Sequence, residues 1–180
     1  MRPLYSLIFK LMGWKITGSF PPELRKYIVA VAPHTSNWDF PIGVMARSIL
    51  QIRHAKFIGK SSLFKPPFGW LFRALGGYPV DRSKSNDMVK QVVDIINAHD
   101  DFILAIAPEG TRKKVDKLKT GFYYIAKGAG IPIIPCGFDF AKKEVVISSP
   151  LFPSGDIDAD MNKLLQFYRG IHGANPELGL

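Results

Sequence analysis

His34 and Asp39 stand five positions apart, directly after the apolar run Tyr27–Ala32, in the segment Pro33-His34-Thr35-Ser36-Asn37-Trp38-Asp39. On one regular helix that spacing would place them about 140° apart, out of contact. With His34 in a loop and Asp39 in the first turn of a following helix, the loop can fold the imidazole back onto the carboxylate. The carboxylate then orients the ring and stabilises the imidazolium, and the other ring nitrogen serves as a general base. The plainer alternative is a loop histidine that caps the helix, with Asp39 a helix N-terminal charge. A second segment, Gly76-Gly77-Tyr78-Pro79-Val80-Asp81-Arg82-Ser83, puts Arg82 where a strand ends. A guanidinium there suits a phosphate or carboxylate held bidentately, or a surface ion pair with Asp81 or Asp87. A third, Ala107-Pro108-Glu109-Gly110-Thr111-Arg112, is followed closely by Lys113, Lys114, Lys117 and Lys119. Gly110 lets backbone approach a ligand, Thr111 offers a hydroxyl, and the cations suit a phosphoryl group. Glu109 can accept from a substrate hydroxyl or fix an arginine. Taken alone, such a basic run equally describes a solvated face.

Other chemistries are disfavoured. Gly59-Lys60-Ser61 resembles the end of a P-loop, but that motif needs glycine where His54 stands. Gly128-Ala129-Gly130 lacks the third glycine of a dinucleotide fingerprint, and no G-x-S-x-G elbow occurs. The four histidines show no HExxH spacing, and Cys136 is the only cysteine, so neither a zinc site nor an internal disulfide is expected.

These segments need a frame that brings strand ends together. Strands are expected at Tyr27–Ala32, Ala55–Gly59, Tyr78–Val80, Phe102–Ile106, Ile131–Phe138 and Glu144–Ile147. Helices are expected over Asp39–Leu50, Ser85–His99 with Ser85 as N-cap, Gly121–Gly130 and Asp158–His172, and one starting at Pro66-Pro67. This alternation predicts an α/β fold: one domain over residues 1–180, with a largely parallel mixed sheet flanked by helices. Sites in such folds gather at the carboxyl ends of strands, which are the segments Pro33–Asp39, Asp81–Lys84 and Pro108–Lys119. At the N-terminus, within residues 1–18, Leu4, Leu7, Ile8, Leu11 and Met12 recur at helical spacing beside Arg2, Lys10 and Lys15. That amphipathic helix either caps the core or lies in a bilayer interface. The segment Leu63–Phe72 is rich in aromatics and has the same two readings, core packing or an acyl-chain or membrane surface.

The chain has 180 residues, 47% of them hydrophobic, and a net charge of +9. Residues 1–149 hold 22 basic and 11 acidic side chains; residues 150–180 hold two and four. A basic body favours an anionic partner without choosing among nucleic acid, phosphorylated metabolite, acidic protein and membrane surface. No apolar run reaches the roughly 20 residues of a spanning helix, and Lys10 interrupts any signal-peptide core.

In order, the motifs resemble those of the PlsC-like glycerolipid acyltransferases, the lysophosphatidic acid acyltransferase type. His34-x4-Asp39 is similar to that family's catalytic block, and Gly77-Tyr78-Pro79-Val80-Asp81-Arg82 to its second. Glu109-Gly110-Thr111-Arg112 matches its E-G-T-R block, and Ile131-Pro132-Ile133-Ile134-Pro135 its fourth. The resemblance covers about residues 27–138. It implies transfer of a fatty acyl group from acyl-CoA or acyl-carrier protein to a lysophospholipid hydroxyl, with no permanently bound cofactor, no metal and no nucleic acid. His34 and Asp39 would be catalytic, and Arg82 and Arg112 would hold the acceptor phosphate. Glu109, Gly110 and Thr111 would shape that pocket, with Lys60 and Lys119 as further phosphate contacts. It also implies a peripheral enzyme on the cytoplasmic face of a membrane. Pro33 stands where many members carry asparagine, and Pro79-Val80 where Phe-Ile is common, so another lysophospholipid or a lyso-aminolipid is open as acceptor. A thioester hydrolase and a non-catalytic anionic-membrane module are the rival readings.

Overall fold

The computed structural model describes residues 2–52, 55–80 and 85–179, the side chains of 85–87 excepted. Seven strands form one sheet: β1 (Lys15–Thr17), β2 (Lys26–Val31), β3 (Ala55–Lys60), β4 (Gly77–Val80), β5 (Phe102–Ile106), β6 (Ile133–Asp139) and β7 (Glu144–Ile147), in the order β1-β7-β6-β2-β5-β3-β4. The five strands from β6 to β4 in that order are mutually parallel; β7 is antiparallel to β6, and β1 runs with β7. The expected mixed, largely parallel sheet is therefore present.

The parallel strands read as continuous apolar runs because both their faces are covered. Residues Ile28, Ala30 and Ala32 face a cluster with α4 (Ser85–Asn97), α5 (Gly121–Ala129) and α6 (Ile157–Tyr168), through Val92, Ile96, Phe122, Ile125, Leu164 and Tyr168. Tyr27 and Val29 face the other side, against α1 (Arg2–Leu11) and α2 (Asp39–Ile49) through Phe9, Ile42, Met45 and Ala46. The helices follow local signals. In α4 the apolar positions Val92 and Ile96 are buried at i, i+4 spacing. Helix α5 stops at Gly130, whose φ of 64° is the left-handed cap that glycine adopts without strain. In α6 the Asp156 side chain accepts from the Ala159 N–H at 3.0 Å.

Three expectations shift. The helix expected from Pro66-Pro67 begins slightly later, as α3 (Gly69–Ala74), and a 3-10 turn, Ser61–Phe64, precedes the prolines. The last helix ends at Tyr168, and the chain continues as an irregular segment closed by a 3-10 turn, Pro176–Leu178. Strand β1 was not expected: three residues with an exposed, half-buried, exposed pattern carry no periodic signal. Its pairing with β7 holds it, together with the Thr17 hydroxyl donating to Glu144 and a Lys15–Glu144 ion pair at 3.4 Å.

Connection order creates the site. From β2 the chain crosses past β5 to β3, whereas from β5 it crosses past β2 to β6. Right-handed crossovers put α2 and α5 on opposite faces. Adjacent strands β2 and β5 thus send their connections in opposite directions, and the segments that follow them meet beyond their carboxyl ends, where sites gather in such folds.

Candidate active site

The segments leaving β2 and β5 carry His34 and Glu109. His34 Nδ1 lies 2.8 Å from Asp39 Oδ2, with Asp39 2% exposed at its side chain and His34 23%. The loop-plus-first-turn arrangement is therefore formed: Asp39 is the first residue of α2, and residues 32–38 bend back onto it. The same Asp39 oxygen accepts the Ser36 N–H at 2.9 Å, which fixes the carboxylate against its own loop. With Nδ1 bound to the carboxylate, Nε2 is the ring nitrogen that can exchange a proton with a substrate, and no described residue bonds it.

Glu109 is 2% exposed and takes a role that residue types alone did not show. Its Oε2 accepts the His34 N–H at 2.6 Å, so the carboxylate of one loop holds the backbone of the other. Burial pushes the Glu109 carboxyl above the ordinary carboxylate range. The His34 N–H and the His34 charge pull it down, the Asp39 charge adds to the rise, and the net direction is up. Among the described residues, Asp39 Oδ1 and Glu109 Oε1 are buried without a hydrogen-bond partner.

Gly110 follows with φ of 67°, and a Cβ there would sit 3.0 Å from the Lys119 side chain. The segment loops back so that the Lys119 N–H donates to the Pro108 carbonyl at 2.8 Å. Thr111 is half-buried, its hydroxyl accepting from the Lys113 N–H at 3.2 Å, while Arg112 and Lys119 are exposed. Lys60 ends β3, two strands from β2, and is exposed. No hydrogen bond or ion pair among the described residues joins Arg112, Lys60 or Lys119 to His34 or Asp39. Arg82 lies outside the described residues, as do the segment 81–84 and the Ser85 side chain. Cys136 is fully buried, and burial pushes its thiol up to about 12, so it is no nucleophile at neutral pH. Among the described residues no group of three or more His, Cys, Asp or Glu side chains could hold a metal ion.

Residues 15–139 match the family model described as Acyltransferase. That span holds both His34 and Glu109 and covers well over half of the chain. The chain belongs to this acyltransferase family. Similarity to individual relatives runs the same way. The chain is 30% identical over 139 residues to 1-acyl-sn-glycerol-3-phosphate acyltransferase of Escherichia coli (strain K12), covering 73% of this chain and 56% of that one. It is 31% identical over 135 residues to the enzyme of the same name from Streptococcus pneumoniae (strain ATCC BAA-255 / R6), covering 69% and 49%. The chain thus spans about half the length of the curated relatives it matches.

In this member of the family, the apolar surroundings of the site also divide. Trp38 and Phe40, on either side of Asp39, are 62% and 41% exposed. In the aromatic segment 63–72, Phe64 is core, 4% exposed, with the Arg73 guanidinium 5.5 Å from its ring centroid. Phe68 and Trp70 point outward, 64% and 70% exposed, beside a shallow pocket of about 360 Å³ lined by Phe64, Pro66, Pro67 and Trp70. The core reading of that segment holds for Phe64, whereas Phe68 and Trp70 lie outside the core. Sequence reasoning missed Thr35, which lies inside the His34-x4-Asp39 block yet is 3% exposed. A run of small polar residues in a loop gives no hint of such burial.

Proposed function

We propose that this protein transfers a fatty acyl group from an acyl thioester, acyl-CoA or acyl-carrier protein, to a hydroxyl of a lysophospholipid such as 1-acylglycerol-3-phosphate. The observation that carries this reading is the 2.8 Å contact between His34 Nδ1 and a nearly fully buried Asp39 carboxylate. His34 Nε2 takes the proton of the acceptor hydroxyl as its oxygen attacks the thioester carbonyl carbon. The tetrahedral intermediate collapses with cleavage of the C–S bond, and the imidazolium returns the proton to the departing thiolate. Asp39 holds the ring and offsets its transient positive charge. No covalent acyl-enzyme is required, consistent with the inert thiol of Cys136.

Arg112, Arg82 and the lysines of the third segment supply the phosphate-binding charge, with Lys60 and Lys119 at its margin. Glu109 supports the catalytic loop, and Gly110 and Thr111 shape the adjoining turn. The protein works as a peripheral enzyme on the cytoplasmic face of a membrane. Among the described residues no helix is long and apolar enough to cross one. Helix α1 supports the surface mode: Phe9 is buried at 3%, while Leu4, Leu7 and Leu11 are 56%, 54% and 77% exposed, beside exposed Arg2 and Lys10.

The test is acyl transfer from radiolabelled palmitoyl-CoA, and from palmitoyl-acyl-carrier protein, to a panel of lysolipids resolved by chromatography. A labelled diacyl product is expected with wild type and at least a ~1,000-fold lower rate with His34→Ala. Labelled free fatty acid formed in the presence of abundant acceptor would instead make the protein a thioesterase.

A further inference from the structure

The loop bearing His34 is held from three directions, and one of them comes from far along the chain. Glu109 accepts the N–H of His34 and Asp39 that of Ser36. Between them, Thr35 is gripped at two points by Asn175. The Asn175 main-chain N–H donates to Thr35 Oγ1 at 3.1 Å, and its Nδ2 donates to the Thr35 carbonyl at 2.8 Å. The preceding chain is seated just as closely. A Cβ at Gly173 would fall 2.5 Å from Thr35 Oγ1 and 3.3 Å from Pro33 Cβ. The strap is anchored at its other end by Tyr168, whose buried O–H donates to the Ala30 carbonyl at 2.6 Å. The Phe140 N–H donates to the His172 carbonyl at 2.8 Å. Residues 168–175 therefore run across the carboxyl ends of β6 and β2 and finish on the residue next to His34.

We infer that Asn175 is a positioning residue for the reaction, acting through Thr35 to hold the His34 loop in its productive geometry. This rests on the catalytic reading of His34 and Asp39. It lies outside the family's shared region, since the match ends at residue 139. The logic is geometric. Residues 32–38 have no regular secondary structure, so no ladder of backbone bonds fixes them. The imidazole stays aimed only while the backbone on both its sides is held. Glu109 secures the His34 amide, and Asn175 secures the next residue at both its carbonyl and its hydroxyl. A base displaced by about 1 Å loses on the order of 100-fold in rate.

Two substitutions cut the two bonds separately. Asn175→Ala removes the amide to the Thr35 carbonyl, and Thr35→Val removes the hydroxyl while keeping the side-chain shape. Each is expected to lower kcat by about 10-fold to 100-fold, with KM for donor and acceptor changed less than about twofold. Thr35→Ser restores the acceptor oxygen and is expected to recover most of the rate. Hydrogen exchange of the peptide spanning 32–39 should quicken in both disabling variants while exchange in β2 and β5 does not. Folded variants with unchanged kcat, or with unchanged exchange of 32–39, overturn the inference. If wild type transfers no acyl group to any acceptor, the catalytic reading fails, and the role for Asn175 in the reaction falls with it. The exchange comparison then still shows whether the clamp itself exists.

Discussion

Glu109 is the residue at which charge and burial are most sharply opposed. Its carboxylate is 2% exposed and close to Asp39, and burial raises its pKa in the folded protein even though the His34 N–H bonded to one oxygen pulls the other way. A carboxyl whose folded pKa exceeds its unfolded one binds protons more tightly when folded. Its contribution to stability is full below the unfolded pKa and is lost as pH rises through the folded one. Glu109→Gln keeps an oxygen to accept the His34 N–H but cannot ionise. Thermal melts of the two proteins should therefore diverge over the pH range that runs upward from the ordinary glutamate pKa, with the variant gaining relative to wild type as pH rises. A difference in Tm that stays constant across that range would show that Glu109 does not titrate there. A buried carboxyl shifted upward beside a histidine–carboxylate pair is more typical of a site than of a core.

Among the elements, α6 matters because the strap to Thr35 begins at its end. The helix is tied down by Asp160, which is 0% exposed. Its Oδ2 accepts from the Ser154 N–H at 2.7 Å, the Ser154 hydroxyl at 2.8 Å and the Tyr123 hydroxyl at 3.1 Å, and Lys163 lies 3.2 Å from Oδ1. Burial alone would raise the Asp160 pKa, but these donors outweigh it and the net shift is downward. Stability from such a group is present above the unfolded pKa and lost as pH falls through the folded one. Asp160→Asn is expected to lower Tm by roughly 5 °C at neutral pH, with a smaller deficit in acid. Calorimetry at both pH values checks it, and an equal deficit at both would mean that the carboxylate charge contributes nothing. Because α6 leads into the strap, the same variant should also quicken hydrogen exchange of residues 32–39.

At the scale of the whole molecule, the basic charge and the exposed apolar side chains support one another. The chain carries +9, and α1 turns Leu4, Leu7 and Leu11 to solvent while its other side packs on α2 and the sheet. Leucines on one side of a helix with cations beside them suit an interface of acyl chains and anionic headgroups. Co-sedimentation with vesicles of phosphatidylethanolamine and phosphatidylglycerol should show binding that weakens as salt rises. The double variant Leu7→Glu, Leu11→Glu should bind at least about tenfold less while melting near the wild-type temperature, because neither side chain is in the core. Wild-type protein left wholly in the supernatant at low salt would remove the membrane from the proposal.

Much of this protein is written locally. The apolar runs of β2, β5 and β7 and the periodicity of α4 and α5 can be read from consecutive residues, because burial of a strand or of a helix face imposes its own period. The meeting of His34 with Asp39 was also legible, since a loop histidine can fold back onto a carboxylate in the first turn of the following helix. Tertiary structure alone decided how β2 and β5 came to be neighbours with connections running opposite ways. It alone placed the Glu109 carboxylate on the His34 backbone, paired β1 with β7, and split the aromatic segment into a buried Phe64 and an outward Trp70. It also carried Asn175 to Thr35, across 140 positions of sequence. A hydrogen bond between such distant residues leaves no period and no motif in the chain. It forms only after the sheet and α6 have brought the two segments to the same edge.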